Sequence, residues 1–292
     1  MIKIAIASGK GGTGKTFVAT NIFHVLTQKN VSSVLTDCDA EAPNALSFFK
    51  TDAKETHEVV QYVPVIDVSK CTYCGKCHEY CNYNAIFILP PSEIISVIED
   101  LCHGCGACSV ACEYDAITEK PFPLGNVNIH LYNNLYPVIE ASMNTGIMSP
   151  VRVIKQALRH ISQEAEIVIL DSPPGTSCPF IQTVNQADYV ILVTEPTPFG
   201  LSDLRQSVET LKTMNRQYGV IINKAGLGNN DVREYLEREG ITLLLEIPYS
   251  RKIAGLYSTG TLLAESDKSF GAQLLNVIEN ITVIYGNSNN KR

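Results

Sequence analysis

The sequence has no apolar run long enough to cross a bilayer, so a membrane-spanning helix is not expected. Asp, Glu, Lys and Arg make up 18% of the chain, ordinary for a soluble globular protein, and no basic block stands out. Acidic residues are in excess, with a formal net charge of −7, so a nucleic-acid partner is not expected either. No signal peptide is apparent, because "MIKIAIAS" opens directly on a strand-like pattern; the expected compartment is the cytoplasm. Near the end, "FGAQLLNVIENITVIYG" sets Phe270, Leu274, Ile278 and Ile281 at helical spacing. Basic residues are missing from the body of that helix, so packing on the domain is expected rather than membrane insertion.

What is present is a chain of 292 residues, 45% hydrophobic, ample for one large α/β domain or one domain with an insertion. Apolar runs at 2–7, 33–36, 166–170, 189–194, 219–222 and 241–247 read as buried parallel strands. Helical patterns fall between them at 15–28, 150–161, 179–186, 200–214 and 230–239. This alternation predicts a doubly wound, mostly parallel sheet with helices on both faces. The order breaks between about 64 and 122, which divides the chain into 1–63, an insert at 64–122, and 123–292.

"SGKGGTGKT" at Ser8 to Thr16 fits two glycine fingerprints. Gly9-x-Gly11-x-x-Gly14 suits a dinucleotide site, with Asp37 downstream. Gly9-x-x-x-x-Gly14-Lys15-Thr16 suits a P-loop, and the Lys-Thr pair favours it. In a P-loop, backbone N–H groups of Gly9 to Gly14, including Gly12 and Thr13, wrap the phosphates at a helix N-terminus. Lys15 reaches the β- and γ-phosphates, and Thr16 coordinates magnesium. In "VLTDCDAEAPN", Asp37 and Asp39 are two apart at a strand end and point the same way. Asp37 suits a water-mediated magnesium contact; Asp39 suits orienting the attacking water, or capping a helix begun near Pro43. "IVILDSPPGT" is an apolar strand ending in Asp171, which suits the magnesium shell, with the Gly175 N–H as a γ-phosphate sensor.

Ten cysteines would suggest disulfides in a secreted chain, but eight of them fall in two runs, which points to metal. "CTYCGKCHEYCNYNAI" at 71–86 aligns with "CHGCGACSVACEYDAI" at 102–117, a duplicated unit. Each run is C-x2-C-x2-C-x3-C, the bacterial ferredoxin spacing, in which the fourth cysteine serves the other cluster. One [4Fe–4S] cluster is therefore expected on Cys71, Cys74, Cys77 and Cys112. A second is expected on Cys81, Cys102, Cys105 and Cys108. Zinc is the alternative, although its sites usually show paired C-x2-C halves separated by a longer gap. Asn82 and Glu113 stand where ferredoxins carry proline, a position that shapes the turn without ligating. His78 and His103 adjoin the ligands and read as loop histidines. Cys38 reads as a core thiol.

The loop Gly9-Lys10-Gly11-Gly12-Thr13-Gly14-Lys15-Thr16 resembles the deviant Walker A motif of MinD-type ATPases, nitrogenase iron protein and Mrp/ApbC-type carriers. With the cysteine runs between the two Asp-bearing segments, the whole chain resembles MinD-superfamily P-loop ATPases with an inserted two-cluster ferredoxin domain. The resemblance implies an ATP-dependent homodimer in which Lys10 reaches the partner's ATP, with Lys10, Lys15 and Asp39 catalytic. It also implies base contacts from Asn223 in "VIINK" and Pro248 in "IPYSRKIA". Cys178, seven residues after Asp171, matches the place of a cluster-bridging cysteine in nitrogenase iron protein. Yet no cysteine lies between Cys112 and Cys178 or after Cys178 to complete such a site. Cys178 is thus a candidate thiol for a transient partner or cargo, or a packing residue at a helix start. Three functions follow: nucleotide-gated electron transfer to a partner metalloprotein, Fe–S or metal-cofactor assembly, and, more weakly, positioning or partitioning.

Overall fold

The computed structural model describes residues 1–289, with backbone only at Asp52 and at 284–289. In chain order the strands and helices are β1 (Ile2–Ala7), α1 (Lys15–Gln28), β2 (Ser33–Asp37), β3 (Thr51–Ile66), α2 (Lys76–Glu79), β4 (Ile86–Leu89), β5 (Ile94–Val97) and α3 (Ala107–Ala111). Then come β6 (Ile117–Tyr132), β7 (Tyr136–Met143), α4 (Val151–Arg159), β8 (Ile167–Asp171), α5 (Cys178–Val184), β9 (Tyr189–Thr194) and α6 (Pro198–Thr213). The chain closes with β10 (Tyr218–Ala225), α7 (Asp231–Glu239), β11 (Leu243–Pro248), α8 (Arg251–Ser258), α9 (Leu263–Ser266) and α10 (Lys268–Asn289).

Nine strands form one sheet in the order β11-β10-β9-β1-β8-β2-β7-β6-β3. Pairing is parallel from β11 through β7 and antiparallel from β7 to β6 and from β6 to β3. The apolar runs read as buried strands all lie in the parallel part. Their side chains alternate between the two faces, as a pleat demands. Ile2, Ile4 and Ile6 of β1 join the core beneath α1 and α10, while Ala5 and Ala7 join the core beneath α4 to α7. Phe270, Leu274, Ile278 and Ile281 are buried in the first core, so α10 spends its apolar stripe on the domain. No helix among the described residues is long and apolar enough to cross a membrane.

The antiparallel part was not evident from periodicity. β3 and β6 pair from Thr51↔Tyr132 to Ile66↔Ile117, and β7 accompanies β6 only from Gly125 onward. The remainder of the ribbon overhangs the sheet and carries the cysteine segment at its end, where the hairpin β4–β5 brings Ile88 and Ile95 to the same cavity as Ile66 and Ile117. Both strands run on through residues 64 and 122, the limits read for the insert. A register shift between Val59 and Val60 lies opposite Gly125, whose φ of 157° is extended. A Cβ at Gly125 would sit 2.1 Å from the Ser142 carbonyl oxygen, so only glycine lets β7 close on the bulge.

Candidate functional sites: a nucleotide cleft and two four-cysteine cavities

Between β1 and α1 the chain makes a loop that needs glycine at defined points. Gly12 and Gly14 have φ of 78° and 99°. A Cβ on Gly14 would lie 2.3 Å from Asn223 Nδ2, and one on Gly9 would lie 2.4 Å from the Asp203 carbonyl oxygen. The loop delivers the first turn of α1 into a cleft of about 390 Å³. Gly11, Gly12, Gly14, Lys15, Thr16 and Asp39 line one side; Asn223, Pro248, Ile253 and Tyr257 line the other. Gly9, Lys10 and Thr13 face a separate small recess against α6. Unsatisfied N–H groups at a helix start, beside a buried lysine, form an anion-binding cradle.

Behind the cradle lie three carboxylates and one amine. Asp37 and Asp171 stand opposite each other in the β2–β8 ladder. Asp37 accepts the backbone N–H groups of Asp39, Asn44 and Ala45 at 3.0, 2.9 and 3.0 Å. It therefore pins the segment after β2, and it, rather than Asp39, takes the N–H groups of the short 3-10 turn at Ala45–Phe48. Burial pushes the Asp37 carboxyl up to about 7, against the pull of those N–H groups. Burial, then the neighbouring Asp37, raises Asp171 well above the carboxylate range. Neither carboxylate oxygen of Asp171 has a hydrogen-bond partner, although the Thr16 hydroxyl faces it and favours the ionised form. Burial also raises Asp39, with Lys15 opposing it. Burial lowers Lys15, offset by Asp171, Asp39 and Asp37. An orphaned buried carboxylate beside a hydroxyl and a second acid fits a divalent cation.

The pH dependence follows. Asp37 binds its proton more tightly folded than unfolded, so ionising it costs stability as pH rises from about 4 through about 7. Urea melts without nucleotide or magnesium should therefore show lower stability at pH 8 than at pH 5. Added Mg²⁺–nucleotide should shrink the difference.

Two more side chains complete the loop's surroundings. Lys10 Nζ pairs with Glu195 Oε1. Lys224 Nζ pairs with Glu195 Oε2 at 3.0 Å and donates to the Gly12 carbonyl at 3.0 Å. The lysine pair, set against burial, holds the Glu195 carboxyl below its usual range. The pattern that marks Asp171, an acid at the end of a buried strand, also marks Glu195, one residue past β9. Nothing in the sequence names its lysine partners. Asn223 donates to the Thr13 carbonyl at 2.7 Å and accepts the Lys224 N–H at 2.8 Å, so its amide braces the loop from the cleft wall. The Gly175 N–H donates to the Ser8 carbonyl at 3.0 Å, which ties the segment after β8 to the loop.

Far along the overhanging ribbon, the eight clustered cysteines line two cavities. One, of about 20 Å³, is bordered by Cys71, Cys74, Cys77 and Cys112. The other, also of about 20 Å³, is bordered by Cys81, Cys102, Cys105 and Cys108. In each, three cysteines come from one run and the fourth from the other. No three His, Cys, Asp or Glu side chains among the described residues could hold a single metal ion. Tetrahedral zinc needs four sulfurs converging on one point at about 2.3 Å. Here four thiols border each small cavity without converging on one point, and all four are chemically suited to an iron–sulfur cluster. The Ala85 and Gly104 N–H groups point at Cys81 and Cys102 Sγ, each at 3.3 Å. His78 Nδ1 bonds the Ile86 carbonyl at 2.7 Å, and His103 stacks on Tyr83 with centroids 3.8 Å apart. Cys38 is fully buried, and Cys178 is exposed at the start of α5.

A glycine-rich loop between the first strand and first helix, with acids at the ends of β2 and β8, defines a P-loop nucleotide-binding α/β protein. The chain belongs to the CobQ/CobB/MinD/ParA nucleotide-binding domain family, whose profile matches residues 4–263. An uncharacterised protein of Methanocaldococcus jannaschii is 31% identical over 96% of both chains. A Pyrococcus furiosus protein named iron-sulfur cluster carrier protein is 23% identical, covering 86% of this chain and 75% of its own. Among solved structures, the septum site-determining protein MinD with Mg-ADP from Pyrococcus horikoshii superposes with a TM-score of 0.61 at 16% identity. That match covers 97% of this chain and 98% of the other. At that identity the likeness is one of fold.

Proposed function

We propose that this protein is a cytoplasmic ATPase that works as an ATP-dependent homodimer, holds two resident [4Fe–4S] clusters, and uses nucleotide state to gate electron delivery to a partner metalloprotein. The observation that carries the reading is the pair of cavities, each bordered by four cysteines with one exchanged between the runs. They share one sheet with the nucleotide cleft. In this reading residues 64–122 act as a ferredoxin module within an ATPase formed by 1–63 and 123–292. The clusters supply one-electron chemistry at low potential.

The chain's own residues account for nucleotide handling. Backbone N–H groups of Gly9 to Gly14 and the α1 N-terminus bind the phosphates, and Lys15 adds charge. Thr16 and Asp171, with Asp37 behind them, would hold the magnesium shell. Asp39 orients the attacking water, while Asn223 and Pro248 border the base. The Gly175 N–H reaches a γ-phosphate once it leaves Ser8. Hydrolysis then rests on positioning and charge neutralisation. Lys10 serves the partner's nucleotide only after leaving Glu195. Glu195→Gln should therefore raise ATP-dependent dimerisation several-fold, while Lys10→Ala abolishes it. Light scattering with a non-hydrolysable ATP analogue checks both.

A second reading, Fe–S assembly or delivery, is favoured by the name of the Pyrococcus relatives and by the exposure of Cys178. EPR-monitored redox titration of anaerobically purified protein, with and without ATP, separates the two. Gating predicts two clusters whose potentials or electron delivery change with ATP. Delivery predicts an additional labile cluster, lost in Cys178→Ala, that passes to an apo-acceptor.

A further inference from the structure

The two cysteine loops are repeats in sequence but not in surroundings. Tyr73 and Gly104 occupy equivalent places and share a left-handed backbone, with φ of 53° and 58°. Tyr73 belongs to the outer loop, and the neighbouring Gly75 meets nothing within 4 Å of its would-be Cβ. Gly104 is pressed on three sides. A Cβ there would lie 3.0 Å from the Tyr62 carbonyl oxygen, 3.2 Å from Gln61 Cβ and 3.3 Å from Arg152 Nη2. Gln61 Nε2 donates to the Cys102 carbonyl at 2.9 Å. Arg152 Nη2 donates to the carbonyls of His103 and Gly104 at 2.7 and 3.2 Å. No ion pair claims Arg152 among the described residues. Its charge is spent on this one loop, whose other charged neighbour, Glu119, accepts from the Ser109 hydroxyl. In the outer repeat the nearby Lys76 is neutralised by Glu113 at 2.5 Å.

Arg152 sits in the first turn of α4. Val153, Ile154 and Ala157 of that helix share one core with Phe180 and Val184 of α5 and with Cys38 and Ala40 after β2. These last elements adjoin Asp171 and Asp39. The 102–108 loop is thus bolted to the part of the molecule that borders the nucleotide, and the 71–77 loop is not.

Resting on the cluster-bearing reading above, we infer that Arg152 is a positioning residue that clamps the 102–108 loop to the ATPase body and raises the reduction potential of the cluster at Cys81, Cys102, Cys105 and Cys108. A cation favours the reduced, more negative cluster, and a fixed loop keeps its N–H groups aimed at sulfur. The outer cluster lies beyond this influence.

The test uses full-length, anaerobically purified protein and three variants: Arg152→Gln, Arg152→Ala and Arg152→Lys. EPR titration should show the inner cluster harder to reduce in the Gln and Ala variants. The expected change is three- to tenfold in the reduction equilibrium, ~30–60 mV for a one-electron couple, with the outer cluster unmoved. Arg152→Lys should restore most of the potential. Hydrogen exchange of amides 103–106 should quicken about tenfold in Arg152→Ala, with or without iron. Equal shifts in both clusters, or none, overturn the inference, as does unchanged exchange. If the wild type itself lacks two clusters by iron and sulfide count, the underlying reading fails instead, and the exchange result still decides whether Arg152 clamps the loop.

Discussion

Replacing Cys74 and Cys112 together by alanine is expected to leave one intact [4Fe–4S] cluster, whereas replacing Cys74 and Cys81 together leaves none. Cys74 and Cys112 border the same cavity, so with one cluster per cavity, as proposed, the first pair strips two ligands from one cluster and none from the other. Cys74 and Cys81 border different cavities, so the second pair damages both. If each run of four instead bound its own cluster, the two outcomes would exchange. Iron and sulfide analysis with EPR reads the difference directly. The experiment does not depend on which partner receives electrons, because it tests only how thiols are shared.

Asp171→Asn is expected to abolish magnesium-dependent ATP hydrolysis, by at least about a hundredfold, while leaving the fold without nucleotide as stable or more stable. Asp171 is buried with both oxygens unpartnered, and its neighbour Asp37 opposes its ionisation. Burial keeps the Asp171 carboxyl protonated in the absence of a cation, so a neutral amide of the same shape takes away no charge that the empty site relies on. A side chain that costs stability when ionised and alone makes sense as one that waits for a cation. Thermal melts should show the wild type, but not the variant, gaining stability from added Mg²⁺–nucleotide beyond that given by nucleotide alone. A variant that melts lower without ligand and retains hydrolysis would refute this assignment.

The parallel sheet was legible because its inner strands are buried on both faces. Ile167 to Leu170 and Tyr189 to Val193 are unbroken apolar runs for that reason. The run at 241–247, read as buried, instead forms the half-exposed edge strand β11. The P-loop was legible because its contacts demand glycine at fixed spacing. The ribbon was not. β3 exposes most of Ala53 to Glu58, so its first half carries no apolar run, and Gln61 and Pro64 interrupt the apolar second half. β6 contains Pro121, Pro123 and Gly125, residues that argue against a central strand and are tolerated here beside an edge strand and a bulge. The bacterial ferredoxin spacing carried the expectation of an exchanged fourth cysteine; three cysteines of one run and one of the other border each cavity. Glu195 went unread because its importance lies in Lys10 and Lys224, 185 and 29 residues away in the chain. Arg152 is distant from the cysteine runs in the same way, and no local pattern marks it.

The overhanging ribbon has a mechanical consequence. From the bulge at Gly125 to Ile117 and from Val59 to Ile66, eight paired residues at about 3.3 Å each make an arm of roughly 27 Å. Such an arm is a cantilever: rooted in the sheet at one end, propped by α4 partway, and loaded with cysteines at the other. A tilt of about 5° at the root carries the tip about 2 Å by simple leverage over that length. Shifting or removing the prop at Arg152 would change the arm's stiffness without touching the cleft. Angular play near the sheet becomes linear travel at the cysteines.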